Sequence, residues 1–202
     1  MSAQLDRFMN DVRMRLPGAL DDAIKWELFY ALDEFCKETN AWQEKLILSV
    51  TPDALEYEIE PEENRARIVR LLSVTTGTGV EERPIYGATL PEPELLVFHH
   101  QPDTADYNVL VALTVVDPVD AVDTLPDFPD WFFVNYKQEI TDGVLSRMMS
   151  QPAKPYFSRD GFLLHGRRFR NGMSRVRIAV DHQNVYGGQR WTFPRFAQCD
   201  VR

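Results

Sequence analysis

Two cysteines in 202 residues, Cys36 and Cys199, are too few for a disulfide framework or a zinc site built from thiols alone. A reducing compartment is the default expectation. Glycine is scarce too, with 10 residues against 13 prolines. The prolines concentrate mid-chain, which points to a loop-rich centre between more regular flanks. No apolar run approaches the roughly 18 residues of a membrane span. The opening MSAQLDRFMN has no basic segment leading into an apolar one. These absences favour a soluble, intracellular chain with no membrane partner.

Catalytic signatures are also missing: no Walker-type phosphate loop, GxGxxG, HExxH, CxxC or GxSxG occurs. Of four histidines, His99 and His100 would point to opposite faces of a strand, while His165 and His182 lie 17 apart, which is not a local ligand spacing. Asp117, Asp120 and Asp123 loosely resemble a cation loop but lack the glycine turn and terminal glutamate of an EF-hand. A solvated acidic connector is the simpler reading. Glu62-Glu63 and Glu81-Glu82 sit in turn-like polar segments, where acid/base work lacks the enclosing pocket it needs. The expectation is a protein without enzyme activity, metal or cofactor.

What is present is a 44% apolar composition, enough to bury a core in one domain or two small subdomains, and an uneven charge. The net charge is −9, yet residues 51–130 carry 17 acidic and 4 basic side chains, whereas residues 147–202 carry 3 acidic and 11 basic ones. Such poles can orient identical subunits or steer docking. A solvated acidic surface would give the same counts.

Leu5, Phe8, Met9, Val12 and Leu16 recur at helical spacing, and Pro17-Gly18 ends that helix. A second helix is predicted from Asp21 to about Asn40, with Trp26, Phe29, Tyr30 and Phe35 on a broad aromatic face. From residue 45 the period becomes two: Leu46, Leu48 and Val50, a turn at Pro52-Asp53, then Leu55, Tyr57 and Ile59 read as a β-hairpin. Further strands are predicted at Ile68–Thr75, Glu94–His99 and Asn108–Val116, forming a small antiparallel sheet or sandwich. An acidic connection, 117–129, leads to a helix capped by Asp130, with Trp131, Phe132, Val134, Tyr136, Ile140 and Leu145 on its apolar face. The last helix, Ser158 to about His182, has Phe162, Leu163, Phe169, Met173, Val176, Ile178 and Val180 as core candidates. Gly161, Gly166 and Gly172 weaken it unless they serve close helix contacts.

The expected fold is α+β: a four-helix bundle from residues 1–44 and 130–184, an inserted antiparallel β subdomain over 45–129, and an extended C-terminal arm over 185–202. In the arm, Gly187 and Gly188 supply a hinge, and Arg190, Trp191, Phe193, Arg195 and Phe196 have the composition of interface anchors. The alternative is a last strand packed on its own subunit. Arg167, Arg168, Arg170, Arg175 and Arg177 form a basic run suited to subunit contacts or to DNA phosphates.

Helix Trp26–Phe35, the segment LSVTPDALEYEIE, the stretch PDWFFVNYKQEITDGVLSRMMSQPAKPY, the later Phe169–Val180 and the tail Gly187–Phe196 together resemble the head-to-tail adaptors of tailed bacteriophages, especially those of short-tailed phages. The resemblance spans nearly the whole chain. It implies a virion structural protein, made in the host cytoplasm and placed at the neck as a ring of twelve subunits below the portal. The arm would dock on the portal protein, and the β-rich part would meet tail, nozzle or other neck components. Incidental contact with packaged DNA is compatible with it. A tail-completion or tail-terminator role is the nearest competitor, followed by a DNA-packaging accessory protein.

Overall fold

A computed structural model describes residues 3–77, 82–103, 105–116, 126 and 128–182. Among these residues, four helices and seven strands follow in the order α1 (Ala3–Arg15), α2 (Asp21–Thr39), β1 (Gln43–Val50), β2 (Glu56–Glu58), β3 (Ala66–Thr76), β4 (Arg83–Pro84), β5 (Ala88–Glu92), β6 (Leu95–Phe98), β7 (Ala105–Val115), α3 (Asp130–Met149) and α4 (Arg159–Asp181). The strands form two antiparallel sheets, ordered β1-β7-β3-β4 and β2-β6-β5.

Strand β7 explains the architecture. Its apolar run is buried along both faces, from Val109 through Val111, Ala112, Leu113 and Thr114 to Val115. A strand that reads as continuously hydrophobic must be covered on both sides. On one side the even-numbered residues meet the helices: Thr114 Oγ1 donates to Asp33 Oδ1 of α2 at 2.9 Å. On the other side Tyr107 meets the small sheet. There the Tyr107 ring lies 5.6 Å from Phe98 of β6, which in turn lies 5.8 Å from Tyr57 of β2. The four-stranded sheet is thus the middle of three layers, and one continuous apolar core runs from Phe8 of α1 to Leu96 of β6.

This arrangement overturns the expected four-helix bundle with an inserted β subdomain. The helices do not close around a core of their own. α2 meets the other helices on one side and turns the other to β7, while α3 packs against α1, α2 and α4. Residues 140–146 of α3 are buried on every side, which explains why that helix lacks a single apolar stripe. The strands supply much of the core, so the β segment is built into it and is not an appended unit.

The expected hairpin is also absent. β1 pairs with β7 in the register Leu46↔Val109, while β2 pairs with β6 as Glu58↔Leu95, in the other sheet. Period-two alternation marks a strand but not its partner. Strands β4 and β5 went unread because Pro84 and Pro91 interrupt any alternation. The N-cap of α3 is Pro129, with no side-chain cap bond, and Asp130 is already helical.

Candidate functional site

The described part of the predicted basic run lies on α4. Ser158 caps this helix, its Oγ accepting from Gly161 N at 3.0 Å, and Asp160 suits the first turn through the helix dipole. Only one stripe is buried: Gly166, Phe169, Gly172, Met173 and Val176. The glycines permit close packing on α3. A Cβ at Gly172 would come 2.6 Å from Glu139 Cγ, and one at Gly166 would come 2.9 Å from Ser146 Oγ. The same stripe hides a polar contact, in which His165 Nδ1 lies 2.6 Å from Asp142 Oδ1 and Gln138 Nε2 donates to Asp142 Oδ2 at 3.0 Å. The sequence reading missed this group, because nothing in a spacing of 23 residues says that two helices will face each other there.

The remainder of α4 faces outward. Phe162, Leu163 and Ile178, predicted to be core, are 40%, 55% and 59% exposed, and Leu164 is exposed with them. The correction has a simple cause: α4 packs on α3 and α2 only along one stripe, as the outermost member of its layer. All five arginines of the run are exposed. Arg175 lies 3.6 Å from Glu139, whereas Arg167, Arg168, Arg170 and Arg177 have no carboxylate partner among the described residues.

The helix splays these cations to two sides. A 500 Å³ hollow on the α3 side is lined by Gln138, Glu139, Asp142, Arg168, Asn171 and Arg175. A 320 Å³ hollow on the α2 side is lined by Glu34, Glu38, Arg170, Met173, Ser174 and Arg177. A larger cleft, about 670 Å³, lies between the start of β1 and α3, against Ala41, Gln43, Trp131, Tyr136 and Val180.

The opposite face of the molecule is acidic. In the small sheet the register aligns Glu56↔Val97↔Thr89 and Glu58↔Leu95↔Glu92, so these residues share the outward side. A bulge between Thr89 and Glu92 keeps Glu92 on that side. Half-buried Leu95 therefore lies between the exposed carboxylates of Glu58 and Glu92, and half-buried Val97 between Glu56 and Thr89. None of Glu56, Glu58 and Glu92 is paired with a cation among the described residues.

The other candidates are scattered. His99 and His100 fall in an exposed bend after β6, His99 Nε2 being 3.2 Å from Thr89 Oγ1. Glu82 pairs with Lys45 at 2.9 Å. Glu62 donates its backbone N–H to Glu44 Oε1 at 3.1 Å. Burial, with the Glu62 and Glu63 carboxylates nearby, holds the Glu44 carboxyl above its ordinary range. Burial likewise pushes the Cys36 thiol up. Among the described residues no group of three or more His, Cys, Asp or Glu side chains is placed to hold a metal ion. The arm residues Arg190, Trp191, Phe193, Arg195 and Phe196, the hinge Gly187-Gly188, and Asp117, Asp120 and Asp123 lie outside the described residues. No family model matches the chain, and no curated protein matches it.

Proposed function

We propose that this chain is a non-enzymatic structural protein of a tailed-phage virion, a head-to-tail adaptor that assembles as a ring at the neck and joins the portal to the tail. The observation that carries the reading is the outward face of α4. There arginines with no carboxylate partner among the described residues stand among exposed Leu163, Leu164 and Ile178, the mixture that protein interfaces use. The resemblance of the sequence to short-tailed-phage adaptors supplies the setting, and the Trp/Phe/Arg composition of residues 190–196 supports an arm that anchors on the portal.

The test is a pulldown with the portal protein of the same phage, using the full chain and a chain lacking residues 187–202. The full chain is expected to be retained. The shortened chain should lose binding while keeping its circular dichroism and melting temperature. Retained binding by the shortened chain removes the docking role of the arm. Failure of the full chain to bind removes the adaptor reading.

A further inference from the structure

We propose that the partner of the α4 face is the outer face of the three-stranded sheet of a second copy of this chain, so that subunits join head to tail. The inference rests on the reading of the chain as a self-assembling ring component, and it assigns the two surfaces that meet.

The first argument is complementarity. One face offers Arg167, Arg168 and Arg175 beside Leu164 and Ile178, all exposed; the other offers Glu56, Glu58 and Glu92 around Leu95 and Val97. The spacings agree. Arg168 and Arg175 are two helical turns apart, a rise of about 10 Å. Glu58 and Glu92 are separated by two strand spacings across Leu95, about 9.5 Å. A helix laid across the strands can therefore bring one arginine to each flanking carboxylate, with Asn171 between them over Leu95.

The second argument is placement. α4 is the outer member of the helical layer, and the small sheet covers the other face of β7, so the middle sheet separates the two surfaces within one copy. A single chain cannot bring them together. Two different, mutually complementary faces on one subunit give a heterologous contact, which closes into a ring or extends as a filament depending on the rotation per subunit. Exposed charges of this kind contribute modestly one by one and are screened by salt. The contact should therefore be weak for a free pair and strongest at low ionic strength.

A charge swap tests it. One variant carries Arg167→Glu and Arg168→Glu, the other Glu58→Arg and Glu92→Arg, all at exposed positions. In concentration-dependent sedimentation at low salt, the wild-type chain should self-associate. Each variant alone should associate about tenfold more weakly or not at all. An equimolar mixture should recover association, because each variant presents the surface that the other now fits. Recovery also shows that both are folded; if a reversal disturbs the circular dichroism, glutamine replacements at the same positions must still weaken association. A wild-type chain that stays monomeric at the highest concentration, variants that associate like wild type, or a mixture of folded variants that fails to recover would each overturn the proposal. So would binding of duplex DNA that is lost in the arginine variant while wild type shows no self-association. Portal binding is read in a separate assay, so failure of one reading leaves the other standing.

Discussion

Replacing Phe132 by alanine should weaken the whole molecule, sheet and helices together. The side chain is fully buried. Its ring stacks on Phe128 at 4.6 Å and meets Tyr136 at 5.4 Å, Phe133 at 5.8 Å and Phe35 of α2, edge-on, at 6.0 Å. Phe128 in turn packs at 4.5 Å on Trp42, which leads into β1. Deleting a buried phenylalanine costs about 3–5 kcal/mol through lost transfer energy and the cavity left behind. With its edge and stacked ring contacts, this site should lie in the middle of that range or above, at about 4 kcal/mol. At about 2–4 °C per kcal/mol for a domain of this size, the melting temperature should fall by roughly 8–16 °C. Thermal melts followed by circular dichroism read the loss. Native-state hydrogen exchange then reads where it falls, because the slowest amides of α3 and of β7 should lose protection by the same amount if one core unfolds as one unit. Val134→Ala on the same helix, at a side chain 69% exposed, is the control and should stay within about 0.5 kcal/mol of wild type. A loss below about 1 kcal/mol for Phe132→Ala, or β7 protection unchanged while α3 weakens, would refute the single-core account and restore an independent β unit.

Two further outcomes follow from titratable groups, half-buried Glu44 and buried Cys36. The Glu44 carboxyl is held above its ordinary value of 4.5, so its proton favours the folded state. That contribution is present below the unfolded pKa and is lost as pH rises through the raised folded value. Glu44→Gln should therefore stabilise the protein at neutral pH by a few tenths of a kcal/mol, given the partial solvent screening of the site, and the gain should vanish at acid pH; denaturant melts across that range check it. Cys36 is buried with its thiol pushed up, so in a Cys199→Ser background maleimide should label it only as fast as the chain opens. Rapid labelling of the native protein would contradict that burial.

The individual elements were largely legible in the sequence, because helical and strand periodicities are local. Leu5, Phe8, Val12 and Leu16 mark α1 and are buried, as is Phe35 of α2. The run Val109–Val115, apolar but for Thr114, has the pattern of a strand covered on both faces. The arginines of α4 were also legible as a basic run, and the acidic character of residues 51–130 as a pole.

Other features depended on pairings between distant segments. That β1 joins β7 and not β2, that Glu58 and Glu92 flank Leu95, and that Asp142 meets His165 are matters of register and of helix placement. Neither leaves a trace in local spacing, since any antiparallel partner or any facing helix satisfies the same period. Local spacing fixes the elements, and residue order alone divides the charge along the chain. That the arginines of α4 and the carboxylates of Glu56, Glu58 and Glu92 lie on opposite sides of the middle sheet is a matter of tertiary packing, because which layer an element joins is fixed by the surface it must bury, and that surface is contributed by residues far away in the chain.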